Sequence, residues 1–113
     1  MSSSYRSVKD SGTSLGYSSG RDQGNGTSLQ FINNKLGNDN DQSGCGTLHL
    51  FNPSDTTFVK HFSIASIRIS ENNFQAQQYC AGYFNTTSAI NAIVFQMSSG
   101  NIDSGTFKLY GVS

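Results

Sequence analysis

A strand-like hexamer occurs twice in this chain and limits the available folds more than any other feature. Gly46-Thr47-Leu48-His49-Leu50-Phe51 returns as Gly105-Thr106-Phe107-Lys108-Leu109-Tyr110. Each copy reads Gly-Thr, apolar, basic, Leu, aromatic, and each follows a Ser/Gly turn, at Ser43-Gly44 and Ser104-Gly105. Glycine lets the backbone leave a tight turn, and the residues that follow alternate faces with period 2, as a half-buried strand requires. The two copies read as equivalent strands of one β structure or as halves of a weak duplication. Chance competes with both, because this alternation is common in β proteins.

The rest of the composition points the same way. Only 12% of the chain is charged and 35% is hydrophobic, so its polarity comes from Ser, Thr, Asn, Gln and Gly. Eight Phe and five Tyr stand among these residues without the Leu/Ala/Glu/Lys blocks of helices. Strands are expected at 29–33, 47–51, 57–64, 66–70, 74–84, 90–97 and 106–112, separated by Asn/Gly/Ser turns, with Pro53 in one of them. Short strands at such regular spacing predict an all-β domain, a single antiparallel β-sandwich of jelly-roll-like form. Leu48, Leu50, Phe58, Phe62, Ile67, Ile69, Ile93, Phe95, Phe107 and Leu109 are expected to supply most of its core. Gly82 is expected at a bulge or a close approach.

Residues 1–27 stand apart. Serines and glycines dominate them, and only Tyr5, Val8, Leu15 and Tyr17 offer apolar surface. This reads as an extended Ser/Gly-rich N-terminal arm preceding a domain at 28–113. In such an arm Tyr5, Leu15 and Tyr17 are the candidate partner-binding residues, since they have no core of their own to join. A plain flexible tail is the alternative.

Charge and motif content exclude several functions. Seven basic residues balance seven acidic ones, which leaves no electrostatic footprint for nucleic acid or an anionic membrane. No secretion leader and no membrane-spanning segment is expected. The glycosylation patterns at Asn25-Gly26-Thr27 and Asn85-Thr86-Thr87 therefore read as turns. Cys45 and Cys80 read as small buried hydrophobes in a reduced compartment, with a bridge as the alternative if their strands are neighbours.

Asp39, Asp41 and Ser43 have the alternate spacing that opens calcium loops. Leu50 stands where an EF-hand needs its glutamate, so the segment reads as a surface loop and a looser calcium site is the lesser alternative. Cys45, His49, His61 and Cys80 are zinc-ligand types without compact spacing. Both histidines lie opposite apolar positions, which puts them on solvent or subunit faces. There is no Gly-x-Ser-x-Gly elbow, no phosphate loop and no carboxylate pair, with Glu71 the sole glutamate. No catalysis, metal or cofactor is expected.

A set of motifs resembles small structural proteins of tailed bacteriophages. In order these are Gly46–Ser54 with its Leu48-His49-Leu50-Phe51-Asn52-Pro53 centre, Gly82-Tyr83-Phe84-Asn85, Ala92-Ile93-Val94-Phe95, Ser98-Ser99-Gly100-Asn101-Ile102, and the ending Ser104-Gly105-Thr106-Phe107-Lys108-Leu109-Tyr110-Gly111-Val112. The resemblance covers the C-terminal three fifths of the chain. It implies a non-enzymatic virion component with a β-sandwich domain. Within that class a head-decoration (cement) protein is favoured, a homotrimer bound to the major capsid protein. A tail-fibre module that binds a host glycan through Tyr79, Tyr83 and Tyr110 is the alternative, and a carbohydrate-binding domain unconnected with phage is a weaker third.

Overall fold

The computed structural model describes residues 1–112. It is all-β apart from one short 3-10 turn at Ser19–Arg21. The strands are β1 (Ser2–Lys9), β2 (Gly16–Tyr17), β3 (Gly44–Leu50), β4 (Lys60–Ile69) and β5 (Gln75–Phe84). They form one antiparallel sheet in the order β2-β1-β5-β4-β3. The layer that covers the sheet is irregular chain, and no second sheet occurs among the described residues.

The segment expected as an N-terminal arm is part of this sheet, and the 1–27/28–113 boundary is corrected accordingly. β1 pairs with β5 along its whole length, from Ser2↔Tyr83 to Lys9↔Ala76, and carries β2 on its other edge. Tyr5 is 1% exposed, at the centre of the core with Phe62, Ile64 and Cys80. A serine-rich strand enters a sheet because its backbone pairs as well as any other. One large aromatic on the inner face then supplies most of the apolar area it must bury.

Directly paired residues share a face, so the register fixes the layers of the core. Tyr5, Cys80, Ile64 and Leu48 form one row across four strands, and Ser3, Gly82, Phe62 and Leu50 form the next. Phe84 stacks on Phe62 with ring centroids 5.1 Å apart. Gly82 marks a close approach: a Cβ there would stand 2.7 Å from Ser3 Cβ and collide with the Ser2 carbonyl.

The third inner row is polar: Ser7, Gln78, Ser66 and Gly46. It holds the covering loop. Ser66 Oγ donates to Ile32 O (2.8 Å), and Arg68 Nη1 donates to Lys35 O (3.0 Å). The Gln78 amide nitrogen donates to Asn33 Oδ1 (2.9 Å) and Ile32 O (3.1 Å), while its oxygen accepts from Arg68 Nε. At the far end of the loop Ser3 Oγ donates to Gln30 Oε1 (2.6 Å), and the β1 backbone bonds Gln23 and Asp22. Buried polar groups are tolerated when satisfied, and here their partners lie in the loop.

Several expected core positions lie elsewhere. Phe62 is buried, and Leu48 and Leu50 are half-buried against the core. Ile67 is exposed and Ile69 points the same way, while Phe58, Ile93, Phe95, Phe107 and Leu109 are all exposed. β4 runs from Lys60 to Ile69 in unbroken register against β5. Its even-numbered apolar residues and its odd-numbered ones must therefore occupy opposite faces. Phe62 and Ile64 meet Tyr5 and Cys80, which leaves Ile67 and Ile69 outside. No strand forms at 29–33, 90–97 or 106–112.

Candidate functional site

One face of the sheet has no cover. Its rows are Ser4, Ala81, Ser63 and His49; Arg6, Tyr79, Ala65 and Thr47; and Val8, Gln77, Ile67 and Cys45. Small side chains along the middle of β4 and β5 leave a shallow depression of about 360 Å³ between Arg6, Tyr79 and His49. His61 and Tyr83 continue this face, with ring centroids 6.2 Å apart. Both histidines are exposed here, on the side opposite the apolar rows.

The second feature is the chain after β5. The Ile90 N–H donates to Pro53 O (2.7 Å), and among the described residues no backbone hydrogen bond lies further along the chain. Every residue from 91 to 112 is exposed, including Ile93, Val94, Phe95, Met97, Ile102, Phe107, Leu109, Tyr110 and Val112. Leu109 and Val112 are 94% and 96% exposed. The segment folds back on itself only to the extent that Phe95 and Phe107 approach with ring centroids 5.1 Å apart. The radius of gyration is 14.9 Å, against about 13 Å for a compact chain of this length. So many apolar side chains and unpaired backbone groups in one extended piece are a large unsatisfied surface.

Of the three expected partner-binding residues, Tyr5 is corrected to a core residue with no surface to offer. Leu15 and Tyr17 are exposed on the β2 side, where the Arg6 guanidinium lies 5.5 Å from the Tyr17 ring. Asp39, Asp41 and Ser43 are exposed in the turn before β3. No cluster of three or more His, Cys, Asp or Glu able to hold a metal occurs among the described residues. The missed surface is the C-terminal segment. Its signal is the alternating apolar residues of 90–97 and 106–112, which read in the sequence as part of the domain's own core.

The cysteines differ sharply. Cys80 is buried, whereas Cys45, read from the sequence as buried, is exposed on the open face. β4 lies between them and both thiols are free, so the bridge is not formed. Burial pushes the Cys80 thiol up from 9.0 to about 11, against a smaller lowering by Ser3. A thiol raised in the folded state keeps its proton after the unfolded chain has lost it. Stability is then intact below pH 9 and falls toward pH 11, by up to about 1.4 kcal/mol per pH unit. At neutral pH a water-soluble disulfide reagent should label one thiol of the folded chain, removed by Cys45→Ser, and label Cys80 only on unfolding.

No helix among the described residues is long and apolar enough to cross a membrane. Comparison with protein-family models, with curated proteins and with solved structures gives no match.

Proposed function

We propose that this chain is a non-enzymatic structural protein of a tailed-bacteriophage virion, a head-decoration (cement) protein that binds the major capsid protein as a homotrimer. The observation that carries this reading is the exposed apolar segment at 91–112, which ends in the Ser-Gly-Thr-Phe-Lys-Leu-Tyr-Gly motif of the phage resemblance. A surface of that size suits a protein whose work is contact. The sandwich form belongs to the same proposal: the uncovered sheet face supplies one inner surface and a neighbouring chain supplies the other.

Such a protein acts by mass action. It binds the assembled shell and not the dispersed subunits, so many weak contacts repeated over a lattice raise the shell's resistance to heat. With no net charge, those contacts rest on apolar anchors and uncharged hydrogen bonds, and they resist moderate salt. Particles stripped of the protein should release their DNA at a lower temperature and regain resistance when it is added back. Equal heat resistance with and without it would refute the cement role.

A specific observation favours the second reading, a tail-fibre module for a host glycan. Tyr79 and Tyr83 share the open face with His61, an arrangement suited to stacking on sugar rings. Tyr110 lies apart from them in the sequence, on the free segment. Loss of binding to host cells on Tyr79→Ala, with particle heat resistance unchanged, would favour this reading.

A further inference from the structure

We propose that residues 105–111 add a strand to the free edge of β3 in a second copy of this chain. β3 ends the sheet and has β4 as its only neighbour. The Ser43 carbonyl and the Phe51 N–H both bond β4, so odd positions of β3 face β4. By the alternation of antiparallel pairing, Gly46, Leu48 and Leu50 direct their N–H and C=O groups outward, to an edge with no partner. Leu48 and Leu50 are also only half-buried, so the apolar rows of the core stop short at this edge.

The free segment has the sequence to continue those rows. Its Gly105–Tyr110 hexamer repeats the pattern of β3 itself. Antiparallel pairing that sets Leu109 beside Leu48 also sets Phe107 beside Leu50, Lys108 beside His49, and Gly111 beside Gly46. Both apolar residues then fall on the core side and the basic pair on the open face. Shifting the register by one residue would put Lys108 on the core side, so the alternation selects this pairing. The sheet is antiparallel throughout, which selects the direction. Within one chain the segment makes no such pairing, and Leu109 stays fully in solvent. A second copy presents the same free edge, and its β3 carries the same pattern as the segment.

Donor and acceptor are different surfaces of one chain, so every copy both gives and receives a strand. Such a contact closes into a reciprocal dimer or a ring where the rotation between copies allows it, and otherwise runs on as an open chain of copies. The inference does not rest on the virion location: a monomeric protein would remove the homotrimer and leave a virion role standing, and a tail location would leave this pairing standing.

The test is light scattering on the full chain and on Phe107→Glu and Leu109→Glu. Both sites are exposed in the single chain, so the variants keep its fold. The expected result is an oligomer whose self-association weakens by about tenfold or more for each variant. The register is tested by His49→Cys with Lys108→Cys in a Cys45→Ser background, a pair without mutual backbone bonds and so close enough to bridge. Oxidation should join separate chains on a non-reducing gel. A monomeric full chain, an unchanged oligomer in both glutamate variants, or a bridge within one chain would each overturn the proposal.

Discussion

Tyr5→Ala should destabilise the protein by about 3–5 kcal/mol, and deletion of residues 1–9 should abolish folding. A domain of this size has a total stability of about 5–15 kcal/mol, so the substitution alone removes a large part of it. Tyr5 lies in the row that joins β1 to Cys80, Ile64 and Leu48, and it has one of the largest side chains buried in the molecule. Truncation leaves a cavity on which the covering loop rests. Deletion goes further, because it strips β5 of one of its two neighbours and detaches β2. Leu15→Ala should change the melting temperature little, since Leu15 is exposed. Thermal unfolding of the three proteins checks the account. An unchanged melting temperature for Tyr5→Ala would return this segment to the status of an arm.

Gln78→Leu should cost about 2–3 kcal/mol although it exchanges a polar side chain for an apolar one of similar size. The amide sits between the sheet and the loop, and its loss strands Arg68 Nε and Asn33 Oδ1 and leaves the Ile32 carbonyl with Ser66 Oγ alone. Hydrophobic gain at that position cannot compensate for a buried guanidinium that has lost an acceptor. Gln77→Leu, one residue away on the open face, should stay within about 0.5 kcal/mol of the parent. Chemical denaturation of the pair separates burial of polar groups from strand propensity. Equal stability of the two variants would contradict the assigned faces.

The residues that were legible in the sequence and those that were not differ for physical reasons. β3 and β5 were visible because Leu48-His49-Leu50 and the 74–84 run alternate between turns. β4 was visible but divided. Its apolar residues change phase between Ile64 and Ile67, which reads as two strands with a break, whereas the backbone continues and the phase change puts Ile67 outside. Residues 1–9 were illegible because composition measures apolar content, and this strand needs only Tyr5. The inner row of Ser66, Gln78 and Ser7 was hidden for the same reason, since its stability lies in hydrogen bonds to a loop distant in sequence. The C-terminal alternation was recognised, and its assignment to the chain's own core failed because periodicity says that a strand has a buried face without saying which chain buries it.

The proposed role is association in a particle shell. Quantitative mass spectrometry of purified particles, with electron microscopy to locate the protein, tests it most directly. Lattice decoration predicts copies on the order of hundreds per particle, in fixed ratio to the major capsid protein and distributed over the head. A few copies confined to the distal tail would contradict it.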